Sequence, residues 1–165
     1  MAGSQPPLGL RIGLSFLGTG YIGKGGGTLA SAAAAVACFF LWPYPLIASV
    51  ILSVLLVFGT WASSYIEKRG WRRDDPRITI DEVSGMLAAS ILLPRPATLW
   101  AALLVLGLAF LLFRLLDIFK PPPVSFAERL PAGWGVMADD MVAGLIANGL
   151  VQLTRFIPAG WLGGA

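Results

Sequence analysis

Long apolar runs separated by short polar stretches dominate this chain of 165 residues. No charged residue occurs from Leu29 to Ile66, and that run is too long for one membrane span of about 20 residues but suits two. Trp42-Pro43-Tyr44-Pro45 divides it, because prolines end one helix and begin the next and aromatic residues favour the membrane–water interface. The pattern predicts five apolar helical segments, at 28–41, 46–66, 83–93, 97–116 and 141–156.

The third segment is short, because its eleven residues make a helix of roughly 16 Å against a hydrocarbon core about 30 Å thick. It is expected either to extend around Pro94 or to form a half-span packed against its neighbours. An apolar fraction of 56% exceeds that of ordinary soluble domains. We therefore predict an all-α, polytopic integral membrane helical bundle with short or re-entrant helices. Its expected organisation is a flexible N-terminal segment at 1–15, a single membrane-embedded domain at 16–157 and a short C-terminal tail at 158–165.

Basic residues concentrate in the loop between the second and third segments. Five of them lie there: Lys68, Arg69, Arg72, Arg73 and Arg77. The positive-inside rule assigns this loop to the cytoplasm. If all five segments cross or re-enter the membrane, the polar stretches at 24–28, 67–82 and 114–140 share the cytoplasmic side. The alternation thus predicts one polar site at the cytoplasmic face of the bundle.

The composition excludes several functional classes. A net charge of +3 is too weak to indicate nucleic acid, no motif for it occurs, and no obligate protein partner is evident. The chain has no histidine, and its single cysteine, Cys38, lies in an apolar run with no arginine in the next several residues. A histidine nucleophile and a cysteine-phosphatase loop are therefore excluded. Metal-assisted chemistry run by carboxylates remains.

Arg114, Asp117 and Lys120 are spaced by three residues, which places them on one side of a helix that Pro121-Pro122-Pro123 ends. One interpretation is a strip with Asp117 on a metal ion and the two cations on phosphate oxygens. The other is an intrahelical salt bridge with Lys120 extending to the membrane interface. The spacing alone does not separate the two.

Two pairs of adjacent carboxylates, Asp81-Glu82 and Asp139-Asp140, border apolar segments. Adjacent carboxylates repel each other unless a cation lies between them or one takes up a proton. Capping of a helix N-terminus explains one aspartate of a pair better than it explains two. Oxygen ligands without histidine or cysteine favour Mg²⁺. The neighbouring residues Arg72, Arg73, Asp74 and Asp75, by contrast, are interpreted as a solvated loop rather than a site.

The glycine-rich stretch at 18–28 offers a weaker signal. Gly18-x-Gly20-x-x-Gly23 matches a dinucleotide-binding pattern, but an uncharged apolar segment follows it instead of a βαβ unit. A P-loop is rejected as well, since Gly25 stands where Ser or Thr would bind magnesium. The backbone amides at 25–27, together with Lys24 and Thr28, could hold an anion. A flexible loop leading into the membrane explains the same residues equally well.

Four motifs together resemble the phosphatidylglycerophosphatase A family of Mg²⁺-dependent bacterial membrane phosphatases. They are Gly27-Thr28, the DEVSGM stretch at 81–86, FRLLDIFKPPP at 113–123 and GWGVMADDMVAG at 133–144. Their order and spacing agree with the family over roughly 16–149. Gly26 replaces the usual proline before Gly-Thr, and Leu29-Ala30 replaces a Met/Val-Gly pair, which leaves the backbone amides and Thr28 in place.

The resemblance implies a phosphoric monoester hydrolase that converts phosphatidylglycerophosphate to phosphatidylglycerol and inorganic phosphate in glycerophospholipid biosynthesis. It also implies a multi-pass protein of the bacterial inner membrane whose active site faces the cytoplasm. We predict one or two Mg²⁺ ions held by five catalytic carboxylates: Asp81, Glu82, Asp117, Asp139 and Asp140. The predicted substrate-binding residues are Lys24, Thr28, Arg114, Lys120 and Arg129.

The nucleophile stays open between a metal-activated water and a carboxylate, Asp140 or Glu82, that forms an acyl-phosphate. A small cation- or proton-coupled membrane transporter is the alternative function, and a non-catalytic scaffold is a third. The charges lie at the ends of segments, whereas an ion path would place them near mid-span.

Overall fold

The computed structural model describes residues 6–156, and its regular secondary structure over that range is helical. Within residues 6–156 seven α-helices follow one another: α1 Leu8–Leu14, α2 Gly26–Leu41, α3 Pro45–Glu67, α4 Ile80–Ser90, α5 Leu99–Phe119, α6 Val124–Ala127 and α7 Gly133–Gln152. Short 3-10 helices occur at Thr19–Ile22 and Leu153–Phe156. The five predicted apolar segments correspond to α2, α3, α4, α5 and α7, which confirms the predicted all-α membrane bundle.

In the described part of the chain, three helices are long and apolar enough to cross a membrane: Pro45–Glu67, Leu99–Phe119 and the α7 region Gly133–Phe156. The shorter α2 has 16 residues, about 24 Å of helix. Pro45 is the first residue of α3, where its missing N–H costs no hydrogen bond. The Trp42–Pro45 hinge therefore separates two helices as the sequence predicts.

The short helix α4 lies at the centre of the bundle. All of its residues except Glu82 are buried, and it packs against α7, α2, α3 and α5. A buried 11-residue helix accounts for the short third segment, since its backbone is enclosed by longer helices rather than by lipid. The helix does not extend around Pro94, because Ile91 already has extended backbone dihedrals.

Side-chain donors satisfy the carbonyl groups where α4 ends. Asn148 donates to the carbonyls of Ala88, Ala89 and Ile91 at 2.7–3.2 Å. Trp42 Nε1 donates to the Leu93 carbonyl at 3.0 Å, and Arg155 donates to the Leu92 carbonyl at 2.8 Å. Unpaired carbonyls in a lipid-enclosed environment would cost several kcal/mol each. These donors therefore allow the chain to leave the helix inside the bundle.

The polar residues collect at one end of the bundle and the hinge at the other. Gly27 at the start of α2 lies against Glu82 at the start of α4, and Lys120 after α5 bonds to Asp139 near the start of α7. At the opposite end, Trp42 of the hinge bonds to Leu93. The charged connections thus share one face of the molecule, as the alternation of segments predicts.

Small residues let α4 and α7 cross in close contact. A Cβ atom on Gly144 would collide with the Gly85 carbonyl, and one on Gly85 would lie 2.8 Å from the Asp140 carbonyl. Backbones approach this closely in membrane bundles only where side chains are absent or small. The crossing brings the acidic start of α4 beside the acidic second turn of α7.

The N-terminal and C-terminal boundaries of the domain stay predictions. Within the predicted segment 1–15, Leu8–Leu14 form helix α1, and Leu14 is buried against Ile66 and Ile78. The Thr79 amide also donates to the Leu14 carbonyl at 2.9 Å. The predicted tail at 158–165 lies outside the described residues.

Candidate functional site

Three carboxylates converge where α4 crosses α7. One side-chain oxygen each from Asp81, Glu82 and Asp140 lies within 4.8 Å of the other two. Asp81 and Asp140 are buried, with 6% and 3% of their surfaces exposed. Three acidic groups this close, at a site of low solvent exposure, repel one another unless positive charge or protons are shared among them.

Several oxygens of this cluster have no hydrogen-bond partner among the described residues. They are Glu82 Oε2, Asp140 Oδ2 and, beside the cluster, Asp139 Oδ1. A buried polar atom without a partner is costly and rare in folded proteins. Oxygen-only donors at this spacing suit a hard divalent cation such as Mg²⁺. The residues present therefore fit the predicted metal ion.

The position of Asp81 at the start of α4 affects whether its carboxylate is charged. Burial and the neighbouring Glu82 carboxylate raise the pKa of Asp81 well above its usual range. Asp81 Oδ1 accepts a hydrogen bond from the Glu82 amide at 3.1 Å, at the N-terminal turn where the helix dipole favours negative charge. A bound cation would favour the charged carboxylate over the protonated one.

Asp139 and Asp140 do not cap a helix, which corrects the interpretation that one of them is an N-cap. Helix α7 begins at Gly133, eight residues before the predicted start of its apolar segment, so both aspartates lie in its second turn. Gly133 and Gly135 look like a turn in the sequence, but Gly133 is enclosed by Thr60 and Ser64 of α3 and belongs to the helix. The two side chains project from consecutive positions and acquire different partners.

Asp117 belongs to an ion pair beside the carboxylate cluster. Arg114 Nη1 lies 2.7 Å from Asp117 Oδ2, and Asp117 in turn neighbours Asp140. The same guanidinium lies within 3.5 Å of Thr28 Oγ1 and Ser31 Oγ, which ties α5 to the start of α2. The predicted intrahelical salt bridge is therefore confirmed, and Arg114 also lies against Thr28.

Lys120 leaves the helical strip that the three-residue spacing predicts. It follows α5 in a left-handed conformation with φ of 43°, and the chain turns there. Its Nζ lies 2.7 Å from Asp139 Oδ2 and 3.3 Å from Glu128 Oε1. Burial would lower the pKa of Lys120, but the hydrogen bond and charge of Asp139 raise it above its usual range. Lys120 is thus a fixed cation next to the cluster.

Glycine at the start of α2 makes room for Glu82. A Cβ atom on Gly27 would overlap Glu82 Oε1, and Gly25 before the helix has φ of 100°, which favours glycine. Lys24 is exposed, and within residues 6–156 it forms no ion pair. Among the predicted substrate-binding residues, Thr28 contacts Arg114 beside the site, and the role of Lys24 stays a prediction.

A mixed-charge cavity of about 420 Å³ adjoins Asp139. Its charged lining is balanced in number, with three arginines and three acidic residues: Arg72, Arg73, Arg129, Asp74, Glu128 and Asp139. Arg73 Nη2 donates to the carbonyls of Glu128 and Leu130, so the α3–α4 connection holds the α6–α7 connection in place. The arginines supply the kind of donor that binds phosphate oxygens, and the carboxylates offset their charge.

The interpretation of Arg72, Arg73, Asp74 and Asp75 as a solvated loop is wrong, because these residues are either buried or line the cavity beside Asp139. Asp75 is buried and pairs with Arg77 at 2.7 Å, and that guanidinium holds the pKa of Asp75 below its usual range. Asp74 lines the mixed-charge cavity, and burial raises the pKa of Asp74. The concentration of five cations in one loop was the signal that could have identified this wall.

The structure thus brings most of the predicted residues to one place. Asp81, Glu82 and Asp140 form the closest group, while Asp117 and Asp139 each pair with a cation at its edge. The role of the last two as metal ligands stays a prediction. Such an arrangement can hold a divalent cation, neutralise an incoming phosphate and keep both beside an accessible cavity.

Comparisons with known proteins agree with the motifs. A family model described as Phosphatidylglycerophosphatase A matches residues 12–155. A protein from Bacteroides thetaiotaomicron, provisionally named a phosphatidylinositol-3-phosphatase, is 32% identical over 157 residues, which cover 91% of this chain and 95% of that protein. Phosphatidylglycerophosphatase A of Escherichia coli is 31% identical over 104 residues, 62% of this chain and 58% of the relative. The protein of that name from Haemophilus influenzae is 39% identical over 75 residues, 45% of this chain and 43% of the relative. No solved structure matches significantly.

Proposed function

Because the chain belongs to the phosphatidylglycerophosphatase A family, we propose that it removes the terminal phosphate of phosphatidylglycerophosphate in a Mg²⁺-dependent reaction. The products are phosphatidylglycerol and inorganic phosphate, and the reaction belongs to glycerophospholipid biosynthesis. The observation that carries the metal dependence is the close group of Asp81, Glu82 and Asp140 with its unpartnered buried oxygens. Family membership supports an enzyme over the transporter or the scaffold that the sequence left as alternatives.

Asp81, Glu82 and Asp140 would hold the metal ion, with Asp117 and Asp139 at the edge of the site. When bound, Mg²⁺ supplies a Lewis acid for the phosphoryl group. Lys120 and Arg114 neutralise charge on the phosphoryl oxygens, which is the main requirement in a loose phosphoryl-transfer transition state. Asp139 and Asp117 keep these two cations in position through ion pairs of 2.7 Å each.

Two nucleophiles are compatible with this arrangement. Water can attack the phosphorus in line, or a carboxylate of Asp140 or Glu82 can attack and form an acyl-phosphate that water then hydrolyses. The two differ in a measurable way, since only the second leaves a phosphorylated protein after rapid quenching. Trapping a phosphorylated Asp140 or Glu82 would show that a carboxylate, and not water, is the nucleophile.

The site is proposed to face the cytoplasm from the inner membrane. The five cations between 68 and 77 lie at the same end of the bundle as the carboxylates, and the positive-inside rule assigns that end to the cytoplasm. A membrane-embedded phosphatase at this depth meets a phosphomonoester on a lipid head group without removing the lipid from the bilayer.

A second candidate substrate is a 3-phosphorylated phosphatidylinositol. The name of the Bacteroides relative, which aligns over nearly its whole length, favours this candidate. Both lipids present a phosphomonoester beyond a phosphodiester, so the same carboxylates and cations suit either. They differ in the group between the two phosphates, which is a glycerol in one lipid and an inositol in the other. The mixed-charge cavity would have to accommodate that group.

The experiment is phosphate release by purified protein in detergent micelles, with each lipid offered separately at the same surface concentration. We expect release from phosphatidylglycerophosphate to have the higher kcat/KM. A higher value for the inositol lipid would transfer the proposal to that substrate. No release from either lipid by well-folded protein supplied with Mg²⁺ would contradict the proposed function.

A further inference from the structure

A large apolar groove runs along the outside of the bundle between α3 and α7. Its volume is about 870 Å³, and its walls are mainly apolar. Helix α3 contributes one face, at positions that recur every three or four residues from Ser53 to Lys68. Helix α7 contributes Trp134, Met137 and Met141. None of the five predicted catalytic carboxylates lines this groove.

The length and direction of the groove match one leaflet of a bilayer. Ser53 and Lys68 are separated by about 22 Å along α3. Half of a bilayer, including the head-group region, measures roughly 20–22 Å. Lys68 stands at the end of α3 that carries the cationic loop, so the groove extends from the head-group level of the leaflet nearest the site toward the middle of the membrane.

The charge at its mouth suits an anionic lipid. Lys68 is exposed, forms no ion pair within residues 6–156 and lines the groove where α3 ends. Trp134 stands at the same end, with 62% of its surface exposed. A cation and an indole at the head-group level are the usual contacts of a phosphodiester and the adjoining ester region.

The groove and the mixed-charge cavity lie on the two sides of the first turns of α7. Trp134, Met137 and Ala138 face the groove, whereas Gly135, Val136 and Asp139 face the mixed-charge cavity. A substrate whose tail lies in the groove would need its head group to pass over this end of α7. Both candidate lipids carry two phosphates, so one can pair with Lys68 while the other lies on the side of α7 that carries Asp139.

We infer that the groove between α3 and α7 is the binding site for an acyl chain of the phospholipid substrate, with the phosphodiester at Lys68 and the phosphomonoester beyond α7 at the carboxylates. The inference rests on the proposed function and adds to it a site that determines chain-length preference. If one acyl chain lies along α3 with its head group fixed at Lys68, the depth that the chain reaches in the groove depends on its length. Blocking the groove at different depths should therefore affect lipids of different chain lengths.

The test uses bulky substitutions on α3 and the full-length protein in detergent. Val57→Trp narrows the groove at about 16 Å from Lys68, and Ser53→Trp narrows it at its far end, about 22 Å away. Val54→Trp is the matched control, because Val54 is similarly exposed on the same helix but does not line the groove. The readout is kcat/KM for dipalmitoyl, dilauroyl and dioctanoyl phosphatidylglycerophosphate.

We expect the ratio of kcat/KM for the dipalmitoyl to that for the dioctanoyl lipid to fall about tenfold in Val57→Trp. The ratio should stay within about twofold of the wild-type value in Val54→Trp. Ser53→Trp should discriminate against the dipalmitoyl lipid while sparing the dilauroyl one. A graded effect of this kind cannot arise from general misfolding, since one preparation is assayed with all three lipids.

Equal ratios in Val57→Trp, Val54→Trp and the wild type would overturn the inference while leaving the proposed function intact, provided the wild type hydrolyses the lipids. Absence of hydrolysis by the wild type would contradict the proposed function itself. Light scattering in detergent adds a separate outcome. If Val57→Trp, but not Val54→Trp, converts a dimer to a monomer, then the groove is an interface between two copies of the chain and the acyl-chain assignment is wrong.

Discussion

At the scale of single residues, the site depends on carboxylates that are poorly satisfied by the protein alone. Asp140 is buried beside Asp81, Glu82 and Asp117, and one of its oxygens has no hydrogen-bond partner within the described part of the chain. Such a group destabilises the fold unless it binds a cation, which gives it a function that core packing does not require. Replacing Asp140 with a neutral residue should therefore lower the activity but keep or raise the stability of the metal-free protein.

The first prediction concerns Asp140→Asn. Wild-type protein should gain thermal stability when Mg²⁺ is added, because the ion binds the folded site and not the unfolded chain. Asp140→Asn should lose most of that gain and, in EDTA, should unfold at a temperature equal to or above that of the wild type. Thermal unfolding in detergent with and without the metal measures both effects.

Glu67→Gln is the matched control for this experiment, since Glu67 is an acidic residue at the end of α3 outside the cluster. It should keep the wild-type response to Mg²⁺. An unchanged response in Asp140→Asn would show that this carboxylate does not hold the ion.

The second prediction concerns substitution of Lys120. Lys120→Met keeps most of the apolar length of the side chain but removes the cation between Asp139 and Glu128. We expect kcat to fall about a hundredfold, as for loss of a major transition-state contact, and Lys120→Arg to restore part of it. Lys24→Met should cost far less, because Lys24 is exposed and forms no ion pair within residues 6–156, whereas Lys120 pairs with Asp139. Equal losses of kcat in Lys120→Met and Lys24→Met would contradict the assignment of Lys120 as the lysine that contacts the phosphoryl group.

At the scale of elements, the crossing of α4 and α7 assembles the site. The two helices meet at Gly85 and Gly144, and this contact brings the Asp81-Glu82 pair to Asp140. A short, fully packed α4 is well suited to this task, since its start is fixed by α2 and α7 and its end is held by Asn148. The proposed metal site therefore depends on close helix packing.

The third prediction tests that packing with Gly144→Ala. A Cβ atom there would collide with the Gly85 carbonyl, so the helices must separate. We expect a loss of about 1–3 kcal/mol in the free energy of unfolding and a weaker affinity for Mg²⁺. Gly149→Ala in the same helix meets no atom within 4 Å and should be neutral or stabilising by up to about 1 kcal/mol. Identical behaviour of the two alanine variants in thermal unfolding and metal titration would contradict the role of the Gly85–Gly144 contact.

At the scale of the whole molecule, charge is distributed unequally between the two ends of the bundle. The carboxylates, Lys120 and the cationic α3–α4 connection lie at one end, and the Trp42 hinge and Leu93 lie at the other. By the positive-inside rule, this asymmetry predicts that the carboxylate end of the bundle faces the cytoplasm.

The fourth prediction concerns orientation. Cysteine is introduced at Pro76, in the α3–α4 connection, or at Ala97, before α5, in a Cys38→Ser background. A membrane-impermeant thiol reagent should label the Ala97→Cys protein in intact spheroplasts and the Pro76→Cys protein only after the membrane is opened. The reverse pattern would show that the site faces away from the cytoplasm.

Much of this architecture is predictable from the sequence because lipid imposes simple rules. Charge-free runs and the Trp42–Pro45 hinge identify the helices, and adjacent acidic pairs in an apolar chain identify the site. Contacts between distant parts of the chain are not visible in this way. Neither the left-handed turn at Lys120 nor the reach of Arg73 to the α6–α7 connection follows from local spacing. The early start of α7 was missed for a related reason, since Gly133 and Gly135 are helical through their packing against α3 and neighbouring connections rather than through propensity.

The measurement that tests the central claim most directly is phosphate release from phosphatidylglycerophosphate by the purified protein, first with Mg²⁺, then with EDTA, and then with Mg²⁺ restored. We predict release that stops in EDTA, returns with the metal and falls at least about a hundredfold in Asp140→Asn. Release that continues unchanged in EDTA, or that survives in Asp140→Asn at the wild-type rate, would contradict the assignment of Asp81, Glu82 and Asp140 as the metal site of a lipid phosphatase.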